Sequence, residues 1–365
     1  MRIYDHEFSA LDLRRRVGAM DQVAGIQCVQ FDDGRARNAR AARVHTGSGL
    51  DFTIALDRGM DIAHASHAGR ALGWRATAGD VAPQYFEPEG ARWLRSYFGG
   101  LLTTCGLTTV GAPPPGLVSA MTGDGLHGRI GNTPAENLQI TQEWQGDHYV
   151  LAITGTLRDA ALFGPNLTLT RTIATELGAH TIRIHDVVTN EGFRPAPLMI
   201  LYHCNIGWPV LDEGTRFIAP TRMVTPRDAT ARDGIEHWQH MHGPAPDYAE
   251  KVYSHDMTAA GDGTVTTALV NTQNPPFGVY VRYRQDTLPR FMQWKQLGEQ
   301  DYVCGLEPAN CGVEGRHIQA ARGQLQHIAP GESQTFDLEF GVISTPEMLT
   351  TIEANCAGIH TQLAE

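Results

Sequence analysis

One glutamate in the chain has surroundings that suit a catalytic base. Glu307 lies in the segment Cys304-Gly305-Leu306-Glu307-Pro308, where most neighbouring side chains are apolar. Burial in such a setting raises the pKa of a carboxyl group toward neutrality, which makes the carboxylate a better base at physiological pH. The alternative is a structural carboxylate that pairs with an arginine such as Arg316.

Two histidines could face a ligand together with this acid. His203 follows the apolar residues 198–201, so we expect it at the end of a strand that holds its ring rigidly. His127 lies in Gly125-Leu126-His127-Gly128, and its flanking glycines suit a loop whose backbone approaches a ligand closely. The alternatives are a core histidine with satisfied hydrogen bonds and a surface loop histidine, respectively.

The other histidines raise the question of a metal site. Of the 16 histidines, His237, His240 and His242 fall within six residues, and His64 and His67 are three residues apart. Such spacing is compatible with a cluster of loop ligands. No His-Glu-x-x-His motif is present, and a tryptophan and a methionine separate the loop histidines, so we expect no metal and keep the cluster as the alternative.

The basic residues exclude several chemistries. Of the 29 basic residues, 27 are arginines and two are lysines, Lys251 and Lys295. Neither lysine follows a glycine, so the chain has no phosphate-binding P-loop, and the scarcity of lysine disfavours a pyridoxal-phosphate enzyme. The net charge of −11 without a basic run disfavours nucleic acid. We expect a small-molecule ligand and no cofactor.

Cysteine usage and hydropathy predict a cytoplasmic protein. The six cysteines form no Cys-x-x-Cys pair, which disfavours a zinc ribbon or a thioredoxin motif. The N-terminal residues lack the apolar core of a secretory signal, and no stretch approaches the roughly 18 apolar residues of a membrane helix. We expect no membrane contact, and a homodimer remains open.

Between its ends the chain shows the two-residue period of β-strands. The alternation at 167–173 and 181–187 around Leu177-Gly178 predicts a hairpin, and no βαβ pattern appears. Further strands are predicted at 149–156, 199–203, 279–283 and 336–342. The predicted fold is mainly β, a large antiparallel β-sandwich that forms a single domain over residues 1–365.

Helices are predicted only at the two ends. Ser9 and Asp12 resemble a capping pair in an N-terminal helical segment over 1–18. A C-terminal helix is predicted over 345–365, where apolar residues recur on one face: Met348, Ile352, Cys356, Ile359 and Leu363. Two long loops, 113–134 and 220–246, are expected to carry functional residues.

Several segments, in their order along the chain, resemble the aldose 1-epimerase (galactose mutarotase) superfamily, and most closely its DUF4432 branch. Tyr97-Phe98-Gly99-Gly100 is similar to the family's Tyr-Phe-Gly-Ala, and Gly125-Leu126-His127-Gly128 to its Leu-His-Gly. Tyr202-His203-Cys204-Asn205 resembles His-x-x-Phe-Asn with a spacing one residue shorter, and Glu307-Pro308 resembles the apolar-Glu-Pro segment. The resemblance covers nearly the whole chain and implies a galactose mutarotase-like supersandwich.

The resemblance also implies roles for these residues. Glu307 would be the catalytic base, His203 the acid that protonates the ring oxygen, and His127 a hydrogen-bond partner near that oxygen. Asn205, and Asp61 in the similar segment 56–62, would contact the substrate. Beside them, Trp294 could supply an aromatic wall and Lys295 a cation.

The chain departs from the family pattern in two places. Thr103-Thr104-Cys105-Gly106 stands where the family has a sugar-contacting arginine, which puts ordinary hexose specificity in doubt. Ser254-His255-Asp256-Met257 reverses the family's Asp-His order, so His255 and Asp256 become candidate substrate contacts, with Asp228 as an alternative. Three arginines could replace the missing one: Arg58, Arg95 and Arg129.

The implied reaction interconverts the anomers of a sugar. A base removes the proton of the anomeric hydroxyl while an acid protonates the ring oxygen, and neither step needs a metal or a nucleotide. The alternatives are an epimerase or isomerase that acts at another carbon of a sugar derivative, and a non-catalytic carbohydrate-binding protein on the same fold. A glycosidase is disfavoured because Glu307 has no evident carboxylate partner in the sequence.

Overall fold

The structure is a computed structural model that describes residues 1–4, 6–113, 125–273 and 275–364. Strands dominate these residues, as the two-residue alternation predicts. The strands, in chain order, are β1 (Arg2–Ile3), β2 (His6–Glu7), β3 (Gly25–Gln30), β4 (Arg40–His45), β5 (Leu50–Ala55), β6 (Asp61–His67), β7 (Arg70–Ala71), β8 (Trp74–Arg75), β9 (Gly99–Gly100), β10 (Thr103–Leu107), β11 (Glu136–Gln145), β12 (His148–Ala160), β13 (Asn166–Glu176), β14 (Thr181–Asn190), β15 (Ala196–Pro197), β16 (Met199–Gly207), β17 (Thr215–Ile218), β18 (Thr221–Pro226), β19 (Lys251–Met257), β20 (Thr264–Asn271), β21 (Phe277–Arg284), β22 (Arg290–Leu297), β23 (Tyr302–Ala309), β24 (His327–Ile328), β25 (Ser333–Ile343) and β26 (Gln362–Leu363).

The helices are short. The α-helices are α1 (Ala10–Arg14), α2 (Ala229–Arg232), α3 (Arg316–Ala321) and α4 (Pro346–Ala354). Turns of 3-10 helix occupy Met20–Gln22, Gly34–Ala36, Pro83–Tyr85, Gly90–Ser96, Ile130–Asn132 and Ile235–His237. In the described part of the chain, no helix has the length and apolarity that a membrane span requires.

The hairpin of β13 and β14 shows how the local sequence sets the sheet. The strands pair antiparallel, with Thr170 opposite Val187, and alternate side chains are buried. Gly178 lies in the turn with a φ of +82°, a conformation that glycine adopts without a steric penalty. The predicted hairpin is confirmed, and the other four predicted strands lie within β12, β16, β21 and β25.

Three sheets hold most of the strands. The eight-stranded sheet has the order β11-β12-β13-β14-β25-β21-β20-β17, and the seven-stranded sheet has the order β10-β16-β23-β22-β19-β18-β26. A five-stranded sheet runs β3-β4-β5-β6-β7. Pairing is antiparallel in all three, except that β26 joins β18 in parallel.

The central strands β16 and β23 of the seven-stranded sheet are buried on both faces. On one face Tyr202 of β16 packs against Phe336 of β25 and donates a 2.7 Å hydrogen bond to Asp186 of β14. The opposite face carries a separate apolar cluster that includes Trp93 and Val252. Because side chains alternate along a strand, sequence neighbours on the central strands serve different faces.

A buried ionic network links the five-stranded and eight-stranded sheets. Arg171 of β13 donates to Asp186 at 2.9 and 2.7 Å and to Asp61 of β6 at 2.9 Å, and all three side chains are fully buried. Thr104 donates to Asp61 through its backbone and its hydroxyl. Burial raises the pKa of Asp61 to about 6, and the neighbouring Arg171 opposes that rise. Asp61 is therefore a member of the core network.

The predicted terminal helices are both too long. Ser9 caps α1 as expected, but this helix ends at Arg14, and β1 and β2 precede it, so the helical segment over 1–18 is wrong in extent. The helix α4 ends at Ala354, and the chain then forms β26 at the edge of the seven-stranded sheet. Backbone hydrogen bonds to a sheet edge replace further helical ones there.

The two predicted long loops have different outcomes. Residues 220–246 are not one loop, because β18, α2 and the 3-10 turn Ile235–His237 lie within them. Of residues 113–134, the part from 114 to 124 lies outside the described residues. The described part carries His127 and ends in the 3-10 turn Ile130–Asn132 followed by Thr133 and Pro134.

Candidate active site

Strand register brings His203 and Glu307 together. The strands β16 and β23 are antiparallel, and pairing of Leu201 with Ala309 and of Cys204 with Leu306 sets His203 opposite Glu307. Directly opposed residues of an antiparallel pair point to the same face of a sheet. The two side chains meet on the face turned away from the eight-stranded sheet, with 3.1 Å between Nε2 of His203 and Oε1 of Glu307.

Burial shifts the pKa values of this pair in opposite directions. It raises the pKa of Glu307 to about 8, with a further rise from Glu250 and an opposing effect of Arg227. It lowers the pKa of His203 to about 3, and His127 adds to that shift. Both shifts favour the uncharged form of the group. Near neutral pH the pair therefore holds one proton, on Glu307, and is electrically neutral.

The other ring nitrogen of His203 faces a buried tyrosine. Nδ1 lies 3.2 Å from the hydroxyl oxygen of Tyr97, which donates a 2.7 Å hydrogen bond to Oδ1 of Asn205. Asn205 follows His203 by two residues on β16, so both side chains point to the same face. Its amide nitrogen donates to the backbone carbonyl of His203 at 2.9 Å.

The pair lies in a cavity of about 320 Å³ between the seven-stranded sheet and the loops that cover it. Two indole rings form its walls: the centroid of Trp294 lies 5.3 Å from that of His203, and Trp93 stacks on Tyr97 at 4.5 Å. The cavity is large enough for a small ligand. Its lining includes Trp93, Tyr97, His127, His203, Arg227, Glu250, Trp294, Glu307 and Glu314.

His127 reaches the cavity from a constrained backbone. Its φ is +58°, which is uncommon for a residue with a β-carbon. Its backbone N–H donates to Gly111 and its carbonyl accepts from Gly106, so both neighbours hold this conformation. The ring packs between Trp93 and His203, and burial lowers its pKa to about 4. Its buried Nδ1 has no hydrogen-bond partner among the described residues.

A polar chain at the cavity edge holds one of the indole walls. Glu250 accepts a 2.8 Å hydrogen bond from the indole N–H of Trp294 and a 2.9 Å one from Arg227. Arg227 also donates to Asp228, which caps α2. Sequence reasoning missed Arg227, Glu250 and Trp93 as cavity residues. The strand order that brings Arg227 and Glu250 to the cavity is not visible in the sequence, and Trp93 reaches it from the 3-10 turn Gly90–Ser96.

Among the eight predicted substrate contacts, Trp294 lines the cavity and the other seven do not. Arg58 is buried and donates to the backbone carbonyls of Gly131, Val81 and Ser96, while Asp61 belongs to the core network. Asn205 does not line the cavity, and its amide nitrogen donates a hydrogen bond to the backbone carbonyl of His203. Arg129 is exposed beside the ring of Phe86. The positions of Arg58 and Asp61 correct the expectation that they contact the substrate.

The candidates on β19 and β22 are also engaged elsewhere. His255 is buried among Phe217, Trp238 and Phe291 on the core face of the sheet, and Asp256 is exposed and paired with Arg222. Lys295 is buried and donates to the carbonyls of His237 at 2.7 Å and His240 at 2.6 Å. These positions correct the expectation of substrate contacts from His255, Asp256 and Lys295.

The histidines that could have formed a metal site point in different directions. His237 and His240 contribute backbone carbonyls to Lys295, and His242 contacts the carbonyl of Gly243. His64 faces Asp80, whereas His67 faces His180. Within the ranges that the structure describes, no three His, Cys, Asp or Glu side chains are grouped as metal ligands.

Comparisons with known proteins agree with this architecture. A family model described as a domain of unknown function (DUF4432) matches residues 36–342. The crystal structure of a candidate aldose 1-epimerase from Klebsiella pneumoniae is similar with a TM-score of 0.88 and 25% identity, over 95% of this chain and 93% of that chain. A comparison with curated proteins found no match.

Two more distant structures share the fold alone. A galactose mutarotase-like protein from Clostridium acetobutylicum has a TM-score of 0.59 at 10% identity, over 89% of this chain and 100% of that chain. The galactose 1-epimerase from Lactobacillus acidophilus has a TM-score of 0.58 at 11% identity, over 88% of this chain and 99% of that chain. The predicted galactose mutarotase-like β-sandwich is confirmed.

Proposed function

The chain belongs to the DUF4432 family, and we propose that its cavity interconverts the anomers of a free sugar by general acid–base opening of the hemiacetal ring. One observation carries the proposal: Glu307 and His203 lie 3.1 Å apart in a cavity, with pKa values shifted in opposite directions. Groups whose surroundings drive their pKa values apart are typical acid–base partners.

The geometry of the reaction suits two adjacent groups. Ring opening removes a proton from the anomeric hydroxyl and supplies one to the ring oxygen, and both oxygens are bonded to the same carbon. An acid and a base that lie side by side can therefore serve both atoms, and each positioned group contributes on the order of 10²–10⁴-fold. After rotation about the C1–C2 bond, the same two groups act in reverse to close the ring.

The location of the proton in the resting pair adds one proton transfer to the reaction. Before sugar binds, the single proton of the pair resides on Glu307, because burial disfavours both charged forms. For Glu307 to act as the base, this proton passes from its carboxyl oxygen to Nε2 of His203. The resting pKa values of about 8 and about 3 oppose this transfer, so it requires the entering sugar hydroxyls to stabilise the charged pair. His203 then carries the proton that the ring oxygen receives.

The remaining lining supports a sugar as the ligand. Trp93 and Trp294 offer flat apolar surfaces for the C–H face of a pyranose or furanose ring. The unpartnered Nδ1 of His127 is a polar atom available to a sugar oxygen. Arg227 and Glu250 add a donor and an acceptor at the edge.

Two alternative functions would use the same cavity. Epimerisation at another carbon also needs an acid and a base, whereas a binding protein needs neither. The burial of a carboxyl group against an imidazole costs stability, and such buried groups with shifted pKa values are typical of catalytic sites, which favours an enzyme over a binder.

The proposal is tested by NMR exchange spectroscopy on a panel of aldoses, ketoses, uronic acids and deoxy sugars. We expect at least one sugar to show accelerated exchange between its α and β anomers. New epimer signals would instead indicate chemistry at another carbon, and line broadening without exchange would indicate a binder. If no sugar in the panel shows exchange or binding, the proposal is wrong.

A further inference from the structure

We propose that Tyr97 and Asn205 are positioning residues that fix the tautomer of His203, with the proton on Nδ1 and a bare Nε2 facing Glu307. The role in catalysis rests on the proposed function. The tautomer itself follows from hydrogen bonds among described residues and can be measured without a sugar.

The backbone carbonyl of His203 fixes the orientation of the Asn205 amide. The carbonyl oxygen of His203 can only accept a hydrogen bond, so the atom of Asn205 that lies 2.9 Å from it must be the amide nitrogen. This fixes the orientation of the amide and turns Oδ1 toward Tyr97. A tyrosine hydroxyl has one proton, and the 2.7 Å contact with Oδ1 takes it.

The tyrosine oxygen can then serve His203 only as an acceptor. It lies 3.2 Å from Nδ1, so this contact is a hydrogen bond if Nδ1 carries a proton. A neutral imidazole has a single N–H, which leaves Nε2 without a proton. Nε2 lies 3.1 Å from Oε1 of Glu307, a buried oxygen that has no hydrogen-bond partner among the described residues.

Burial of the three residues leaves the His203 ring no other hydrogen-bond partners from water, so these contacts determine its tautomer. Asn205 is fully buried, and Tyr97 and His203 are 5% and 6% exposed, so water has little access to substitute for a missing partner. Stacking of Tyr97 on Trp93 holds the hydroxyl in place. With the opposite tautomer, an unprotonated Nδ1 would face a tyrosine oxygen whose only proton is already donated to Asn205, and neither atom could donate to the other.

The tautomer of His203 determines whether this residue can accept a proton from Glu307. Only the tautomer with a bare Nε2 can take the proton of Glu307 directly, and this is the transfer that the proposed reaction needs. Holding a histidine in the productive tautomer is worth orders of magnitude in rate in enzymes that rely on it. Tyr97 and Asn205 thus act on the rate through His203, without contact with the reacting atoms.

The test is ¹⁵N NMR of histidine-labelled protein, with His203→Asn used to assign the His203 signals. In the unaltered protein we expect a protonated Nδ1 and an unprotonated Nε2. In Asn205→Ala the Tyr97 hydroxyl loses its acceptor and is free to donate to Nδ1, so we expect the tautomer to reverse. In Tyr97→Phe, which keeps the ring packing, we expect a mixture of tautomers.

Kinetics supply the second readout once a substrate is known. Both variants are expected to lower kcat at least tenfold with little change in KM, while a Tyr→Phe change at the buried Tyr283, remote from the site, leaves both unchanged. A protonated Nε2 in the unaltered protein, or an unchanged tautomer in folded Asn205→Ala, would overturn the inference. The expected tautomers without any sugar exchange would instead count against the proposed function alone.

Discussion

The Oε1 atom of Glu307 lies 2.6 Å from the position that a β-carbon would occupy on Gly305, two residues earlier on the same strand. The same position is 3.1 Å from the β-carbon of Trp294 and 3.4 Å from Cε1 of His203. Gly305 therefore leaves the space in which the carboxyl group meets the imidazole, and any side chain there must move the carboxyl group.

We expect Gly305→Ala to lower anomer exchange at least tenfold, because the displaced carboxyl group loses its alignment with His203. The nearest atom is the far end of a side chain, so the fold itself should survive. Gly298→Ala is the matched control, since its added β-carbon would come no closer than 3.5 Å to another atom. Equal exchange rates in the two variants, measured by NMR beside thermal unfolding, would contradict the role of Gly305.

Removing either member of the pair should abolish most of the activity. We expect Glu307→Gln and His203→Asn each to reduce anomer exchange by at least about 100-fold, in line with the loss of a positioned acid or base. Circular dichroism should show an intact fold in both cases. Near-wild-type exchange in both variants would show that the pair is not the catalytic centre.

The pH dependence of the rate should follow the single proton of the pair. Above a pH of about 8 Glu307 loses its proton, and the pair can no longer supply an acid. We therefore expect kcat/KM to fall about tenfold per pH unit above 8. A rate that keeps rising through pH 9 and 10 would be inconsistent with this assignment.

The free energy of unfolding should also depend on pH through the proton of Glu307. Because the folded-state pKa of Glu307 is about 8 and its ordinary value is 4.5, the folded state binds the extra proton between these pH values. Its contribution to stability is complete below pH 4.5 and is lost as pH rises to 8, at up to about 1.4 kcal/mol per pH unit. Glu307→Gln should remove this loss, so its unfolding free energy relative to the unaltered protein should increase across that range in urea titrations.

Lys295 should matter for stability more than for rate. Its ammonium group donates to two backbone carbonyls, so Lys295→Met would leave both unpaired in a buried place and should cost about 2–4 kcal/mol. Lys251→Met is the control, because Lys251 donates to one carbonyl, that of Thr230, and is only partly buried. A large loss of exchange activity in folded Lys295→Met would restore it as a substrate contact.

Local patterns predicted the strands, and the family resemblance pointed to Glu307 and His203. The alternation at 167–173 and 181–187 is a property of neighbouring residues, and it gave the right hairpin. Glu307 stood out in an apolar setting and His203 after an apolar run, and the family resemblance implied their roles. The structure places His203 in the middle of β16, so the expectation that it lies at a strand end is wrong. Their contact depends on the register of β16 and β23, which no local pattern shows.

The incorrect predictions concern residues whose contacts depend on strands that are far apart in the sequence. Asp61 pairs with Arg171, 110 residues away, and no local pattern indicates that partner. Arg227 and Glu250 reach the cavity through the order β16-β23-β22-β19-β18, which depends on the whole sheet. Lys295 could have been placed better, since strand alternation forbids it from sharing a face with Trp294.

The residues on the two faces of β22 differ in what a substitution would change. Trp294 shapes the cavity, and Lys295, the next residue, secures the backbone at His237 and His240 on the other side. Substitutions at the cavity-facing positions of this strand can change which ligand fits while the anchoring positions stay as they are. A lineage could thus acquire a new specificity by drift at alternate residues, without rebuilding the scaffold.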